Sequence, residues 1–255
     1  MKRNLPLLFL LLTITVKAQK TTQQFYALRT YTLATDTQVK TTDEFLENAF
    51  LPALKKMKIG PIGVFKPVKP QDSLQKIMVL IPFEDLNAFE SLNWKLTQDK
   101  NYQSNGKDYL SAKADNAPYT RFSTVLLKAF PDMPVMRPTT VEGDRNQRIY
   151  ELRSYQSPTE TYFANKKEMF NAGGEIKLFD ELGFNAVFYS EVLAGPDMPN
   201  LMYMVTFKNE ADRDAHWKAF GDSPVWKKLS AQSKYQDNVS HIDNTYLYPT
   251  KYSEY

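Results

Sequence analysis

The chain has 255 residues, 32 Lys and Arg against 29 Asp and Glu, and no cysteine. The absence of cysteine excludes disulfides, thiolate metal sites, a Cys nucleophile and a lipidated Cys anchor. The fold must therefore rest on its core, and a chain of this length can bury roughly 70% of its unfolded surface.

Residues 1–18, MKRNLPLLFLLLTITVKA, begin with two cations, continue with an apolar run from Leu5 to Val16, and place Val16 and Ala18 at signal-cleavage spacing. The run is shorter than the about 20 residues a bilayer span requires. It predicts an exported protein, periplasmic or secreted, cleaved after Ala18 and not stably inserted in a membrane afterwards. Lys2, Arg3 and Lys17 fall in this leader, so three of the 32 bases leave with it and the remaining 29 balance 29 acids. Nucleic acid is excluded as a partner, because phosphate-backbone affinity needs a net basic surface.

The segment QFYALRTYTLA at 24–34 returns as RIYELRSYQSP at 148–158, with Tyr26 and Tyr150 separated by 124 positions. VLIPFED at 79–85 and YMVTFKN at 203–209 repeat at the same offset, which signals duplication of one supersecondary unit. The expected units are 19–130 and 148–255, joined by the Pro-rich, polar linker 131–147.

After the opening strand of the first unit, Thr42 is a candidate cap for a helix through Phe45, Leu46, Ala49, Phe50, Leu54 and Met57, with a kink at Pro52. Strands follow at GVFKPV and KIMVLIPF, then a helix near 84–95 and a strand at RFSTVLLKAF. In the second unit, Ser157 before Pro158, with Glu160, predicts a capped helix running toward Leu182, interrupted at Gly173-Gly174 and stopped by Gly183. Strands at NAVFYSEVL and NLMYMVTF precede a helix near 209–220, another capped by Ser223 before Pro224, and a last strand in DNVSHIDNTYLY.

Each unit thus reads βαββαβ, the ferredoxin-like plait, with both helices on one sheet face. The other face needs a cover, and the twin supplies it: two tandem ferredoxin-like repeats with facing antiparallel sheets, a pseudo-dimer within one chain. Alternation along the opening strands puts Leu28 and Leu152 on one face and Arg29, Tyr31, Arg153 and Tyr155 on the other. If the helix-covered face is the more apolar, the two Arg and two Tyr point between the sheets. They would form a polar cleft for a small amphipathic or anionic molecule, with Glu151 and Glu191 beside it. The competing reading pairs each Arg with a structural acid, Glu151 or Glu191.

The two histidines are the candidate catalytic bases. His216 follows Asp212 by four residues, and its counterpart at the 124 offset is Leu92, which favours a packing position. His241, near Asp243, enters the cleft only in one strand register. Two histidines and an acid make no metal or haem site, so no cofactor is expected. Trp217 and Trp226 read as core anchors, and Met198, Met202 and Met204 as pocket lining or strand packing.

YELRSY, GGEIKLFDELGF, PNLMYMVTF, DRDAHWKAFGDSPVWKKL and the final LYPTKYS resemble the NIPSNAP family. The resemblance covers nearly all of the chain after the leader, most specifically Asp212 to Leu229. It implies ferredoxin-like domains of the dimeric α/β-barrel type, a superfamily that includes cofactor-free monooxygenases, isomerases and haem enzymes, so fold does not choose the chemistry. The expectations are a ligand-binding NIPSNAP-type protein or, alternatively, a cofactor-independent monooxygenase or isomerase, or a non-catalytic interaction module. Self-association remains open.

Overall fold

The computed structural model describes residues 22–69 and 74–255. The leader expected at 1–18 lies outside the described residues. Eight strands form one closed antiparallel barrel: β1 (Phe25–Leu33), β2 (Gly63–Pro67), β3 (Gln75–Phe83), β4 (Arg121–Ala129), β5 (Ile149–Gln156), β6 (Asn185–Ala194), β7 (Asn200–Phe207) and β8 (His241–Pro249). Around the barrel the order is β1-β3-β2-β8-β5-β7-β6-β4, so each repeat contributes four adjacent strands. The repeats meet at two seams. Phe65, Lys66 and Pro67 of β2 pair with Pro249, Tyr248 and Leu247 of β8, and β4 pairs with β6 from Leu126–Ala194 to Ala129–Ser190. This is the tandem ferredoxin-like pseudo-dimer, its facing sheets joined edge to edge.

Helices cover the outside of the barrel. In the first repeat, α1 (Asp36–Phe45) runs through a π-turn, Leu46–Phe50, into α2 (Leu51–Lys56). The helix starts earlier than the sequence suggests: the Thr35 hydroxyl caps it by accepting from the Gln38 amide. Thr42 instead lies within α1, buried and donating to the Pro118 carbonyl. Pro52 lacks an N–H, and the π-turn just before it absorbs the lost bond. The Asn48 carbonyl that bond would have served accepts from Asn105 Nδ2 at 3.2 Å. α3 (Leu86–Gln98), capped by Asp85, is followed by the short α4 (Lys100–Asn105) and α5 (Lys107–Leu110).

In the second repeat the long helix divides into α6 (Glu160–Phe170) and α7 (Glu175–Glu181) at Gly174, whose φ of 89° lies in the left-handed region open to glycine. Ser157 does not cap it. The cap position is Thr159, and the Ser157 hydroxyl donates to the Asn238 carbonyl. α8 (Glu210–Asp222) and α9 (Pro224–Ser230) follow, with Ser223 capping α9 as its sequence predicts. Among the described residues, no helix is long and apolar enough to cross a membrane.

The two faces of the opening strands are the reverse of the expected assignment. Tyr26, Leu28, Tyr150 and Leu152 point into the barrel, in one buried cluster with Phe65, Phe188, Met204 and Leu247. Ala27 and Tyr31 pack under the first repeat's helices, and Tyr155 under the second's. The physical reason is closure. An eight-stranded barrel has an interior just large enough to be filled by side chains and walled by sheet on every side, so it is the drier face. The helix-covered face is reached by charged heads from the helices themselves.

Candidate functional site

Arg153 lies on the helix-covered face of β5, 9% exposed, and its charge is met entirely by protein. Its Nη1 donates to Glu151, its Nε donates to the Tyr155 hydroxyl at 3.0 Å, and its guanidinium carbon lies 4.4 Å from the Trp217 ring centroid. Glu151, fully buried, also accepts from Arg213 Nε and from Trp217 Nε1, each at 2.8 Å. Arg213 and Trp217 stand one helical turn apart on α8, which places both over the same carboxylate. Burial alone would push the Arg153 guanidinium down, but Tyr203, Tyr155 and Glu151 together hold it above its ordinary value. This is the structural pairing with Glu151 that the sequence offered, reinforced by two partners on α8.

The equivalent position in the first repeat is open. Arg29 faces a cavity of about 400 Å³ between the sheet and helices α1, α3, α4 and α5, walled by Tyr31, Phe45, Asn93, Tyr102, Tyr109 and Phe122. Among the described residues no carboxylate lies within ion-pair distance of Arg29. Its Nη1 reaches the Tyr31 hydroxyl at 3.5 Å, its guanidinium stands 5.0 Å from the Phe122 centroid, and its buried Nε has no acceptor. Glu90 lines the same cavity without pairing to it. The surroundings are dry enough that burial pushes the Tyr102 hydroxyl up to about 12, with Tyr31 adding and Arg29 opposing. Burial raises Tyr109 as well, with a further contribution from Tyr31.

The remaining candidates lie apart from both arginines. Glu191 accepts from Lys167 at 2.6 Å and joins neither. His241 is 58% exposed and pairs with Asp243 on the surface, at 3.1 Å, because it occupies the exposed start of β8. His216 packs its ring against Phe184 and Phe207, with Nδ1 on the Asp212 carbonyl at 2.7 Å. It holds the packing position that its Leu92 counterpart suggests. Replacing His241 with Ala is expected to leave the urea unfolding midpoint unchanged, since the exposed pair contributes little; a clear shift would show that β8 depends on it. Met204 is interior packing, Met202 borders the same cluster, and Met198 is exposed. Among the described residues no three His, Cys, Asp or Glu side chains gather to hold a metal.

A second feature was not anticipated. Lys166 of α6 and Glu175 of α7, 5% and 2% exposed at their side chains, pair at 3.0 Å beneath Trp226 and Phe170. Burial pushes the Glu175 carboxyl up, against the opposing pull of Lys166. They border a separate cavity of about 380 Å³ that also touches Tyr155, Trp217 and Asn238. The bend at Gly174 brings the two together, and helical periodicity alone does not foresee it.

The NIPSNAP family model matches residues 150–254. None of the curated proteins matches the sequence. Among solved structures, a candidate monooxygenase from Fusobacterium nucleatum subsp. nucleatum shares 10% identity over 90% of this chain and 94% of its own, with a TM-score of 0.60. Another, from Lactobacillus acidophilus, shares 10% identity over 89% of this chain and 94% of its own, with a TM-score of 0.57. A NIPSNAP family protein from Agrobacterium tumefaciens shares 21% identity, covering 45% of this chain and 98% of its own, with a TM-score of 0.37. The family match thus falls on the second repeat alone, and the solved structures share the fold, a closed barrel with helices on its outer face.

Proposed function

We propose that this chain is an exported binding protein that holds a small amphipathic anion in the cavity of its first repeat, with Arg29 as the anchor. The observation that carries this reading is Arg29 itself, a partly buried guanidinium with no carboxylate partner among the described residues and a buried Nε without an acceptor, facing an aromatic cavity. A cation withdrawn from water is costly unless paired, and its twin Arg153 is paired by the protein. The cavity volume lies within the range of small-molecule sites, roughly 300–1,000 Å³. The site thus differs from the expected cleft between the sheets, whose place is taken by packed side chains.

Isothermal titration of the protein from Gln19 onward with hexanoate and with benzoate tests the reading. Saturable binding of at least one, lost in Arg29→Met at an unchanged unfolding midpoint, is the expected result. Binding of neither, or equal binding by the variant, would overturn it. Export rests on the leader pattern, and protein recovered from the periplasm or medium is expected to begin at Gln19; an intact Met1 in that fraction would contradict cleavage. The oxygenase or isomerase alternative requires a base beside the substrate. His216 and His241 lie outside this cavity's lining, which leaves Glu90 and the tyrosines as its titratable acids.

A further inference from the structure

The two repeats superimpose by number across the site: Arg29 on Arg153, Tyr31 on Tyr155, and α3 on α8, each 124 residues apart. Register agrees on one side, since Arg29 pairs across to Val79 as Arg153 does to Tyr203, again 124 apart; on the other side the last strands are offset by 120, with Thr124 opposite Arg29 and Asn244 opposite Arg153. The differences fall around the guanidinium. Glu151 becomes Ala27, Trp217 becomes Asn93, and Arg213 becomes Phe89. Of the three groups that satisfy Arg153, only the tyrosine hydroxyl persists in the first repeat. The carboxylate and the indole on the helix have no counterpart here: the Phe122 and Phe50 rings stand 5.0 and 5.5 Å from the guanidinium on other sides, and a cavity bordered by Ala27, Phe89 and Asn93 remains where the two groups would lie.

Resting on the reading of Arg29 as an anion anchor, we infer that the missing pieces come together as one ligand, an aryl carboxylate. Its carboxylate takes the place against Arg29 that Glu151 holds against Arg153, pairing with a guanidinium suited to that planar group. Its ring takes the place of the Trp217 indole over the guanidinium, where a π face attracts the cation. Phe45, Tyr109 and Phe122 offer the ring further faces and edges. Asn93, on the helical position that carries the indole in the second repeat, borders the same space and brings a side chain able to hydrogen-bond. Glu90 adds one negative charge to the lining, which favours a monoanion over a dianion.

The test is calorimetric titration of the protein with three probes of similar length: 3-phenylpropionate, hexanoate and 3-phenylpropanamide. The phenylpropionate is expected to bind at least about tenfold more tightly than either of the others, because one lacks the ring and the other the charge that strengthens the hydrogen bonds. Hexanoate binding as tightly as phenylpropionate would remove the aryl class and leave the anion site standing. The amide binding as tightly as the acid would remove Arg29 as anchor and overturn both readings, as would binding of none of the three. A variant tests the placement separately: Ala27→Glu supplies the carboxylate within the chain. It is expected to abolish phenylpropionate binding with the urea unfolding midpoint kept or raised. Unchanged binding in this variant would show that the carboxylate does not sit where Glu151 predicts.

Discussion

Replacing Glu151 with Ala is expected to lower the unfolding free energy by about 3–5 kcal/mol, the cost of breaking a buried ion pair from one side. Glu151 is fully buried and accepts four N–H donors from Arg153, Arg213 and Trp217, so its removal strands all four, with only Tyr155 left as a partner to Arg153 and Asp214 to Arg213. Urea denaturation followed by tryptophan fluorescence reads the loss directly, since Trp217 reports on the same site. The double variant Glu151→Ala/Arg153→Met is expected to recover much of the loss, because it removes the stranded charge along with its partner. A Glu151→Ala cost below about 1 kcal/mol, the level of an exposed pair, would show that water reaches these arginines and that the network is not sealed.

The Lys166–Glu175 pair gives the second large effect. Lys166→Met is expected to cost about 3–5 kcal/mol at neutral pH by leaving the Glu175 carboxylate buried alone. The loss should depend on pH in a defined direction. Burial already raises the Glu175 carboxyl above the ordinary carboxylate range, and Lys166 is the main group that opposes this. Without Lys166 the folded state retains a proton that the unfolded state releases near pH 4.3, so stability falls as pH rises from there toward the folded-state value. The slope approaches about 1.4 kcal/mol per pH unit for one group. The variant Lys166→Met/Glu175→Gln has no such group and should give a flat profile over the same interval. A flat profile in the single variant would show that the carboxylate escapes to solvent when its partner is removed.

Much of the fold was legible in the sequence because its signals were redundant. The 124-residue offset appeared in two strands, and strand composition, Ser223 before Pro224, and the helix pattern of 209–220 agreed with it. The break in the long helix was marked by Gly173-Gly174, and the left-handed backbone at Gly174 is what that pair permits. The orientation of the sheet was not legible. Alternation separates Leu28 from Arg29 but carries no label for inside and outside, and closure of the barrel decided it. Arg213 lies in the segment that carries the family resemblance, but its contact with Glu151 was not legible, because it depends on α8 crossing above β5, a contact between residues 62 apart. A comparison of Ala27 with Glu151 and of Asn93 with Trp217 would have singled out the open arginine from sequence alone. What that comparison lacks is the knowledge that these positions face the same space.

Closing the barrel within one polypeptide has a consequence for how such a site can arise. In a symmetric homodimer any substitution occurs twice, so losing the Glu151 carboxylate would strand a guanidinium in both halves and double the thermodynamic penalty. A fused chain breaks that symmetry. Its second half retains the interlocked ion network and its first half gives up the same residues, while the two seams keep both halves in one barrel. Stability and vacancy are thereby assigned to separate copies, a division that a gene encoding a single repeat could not make.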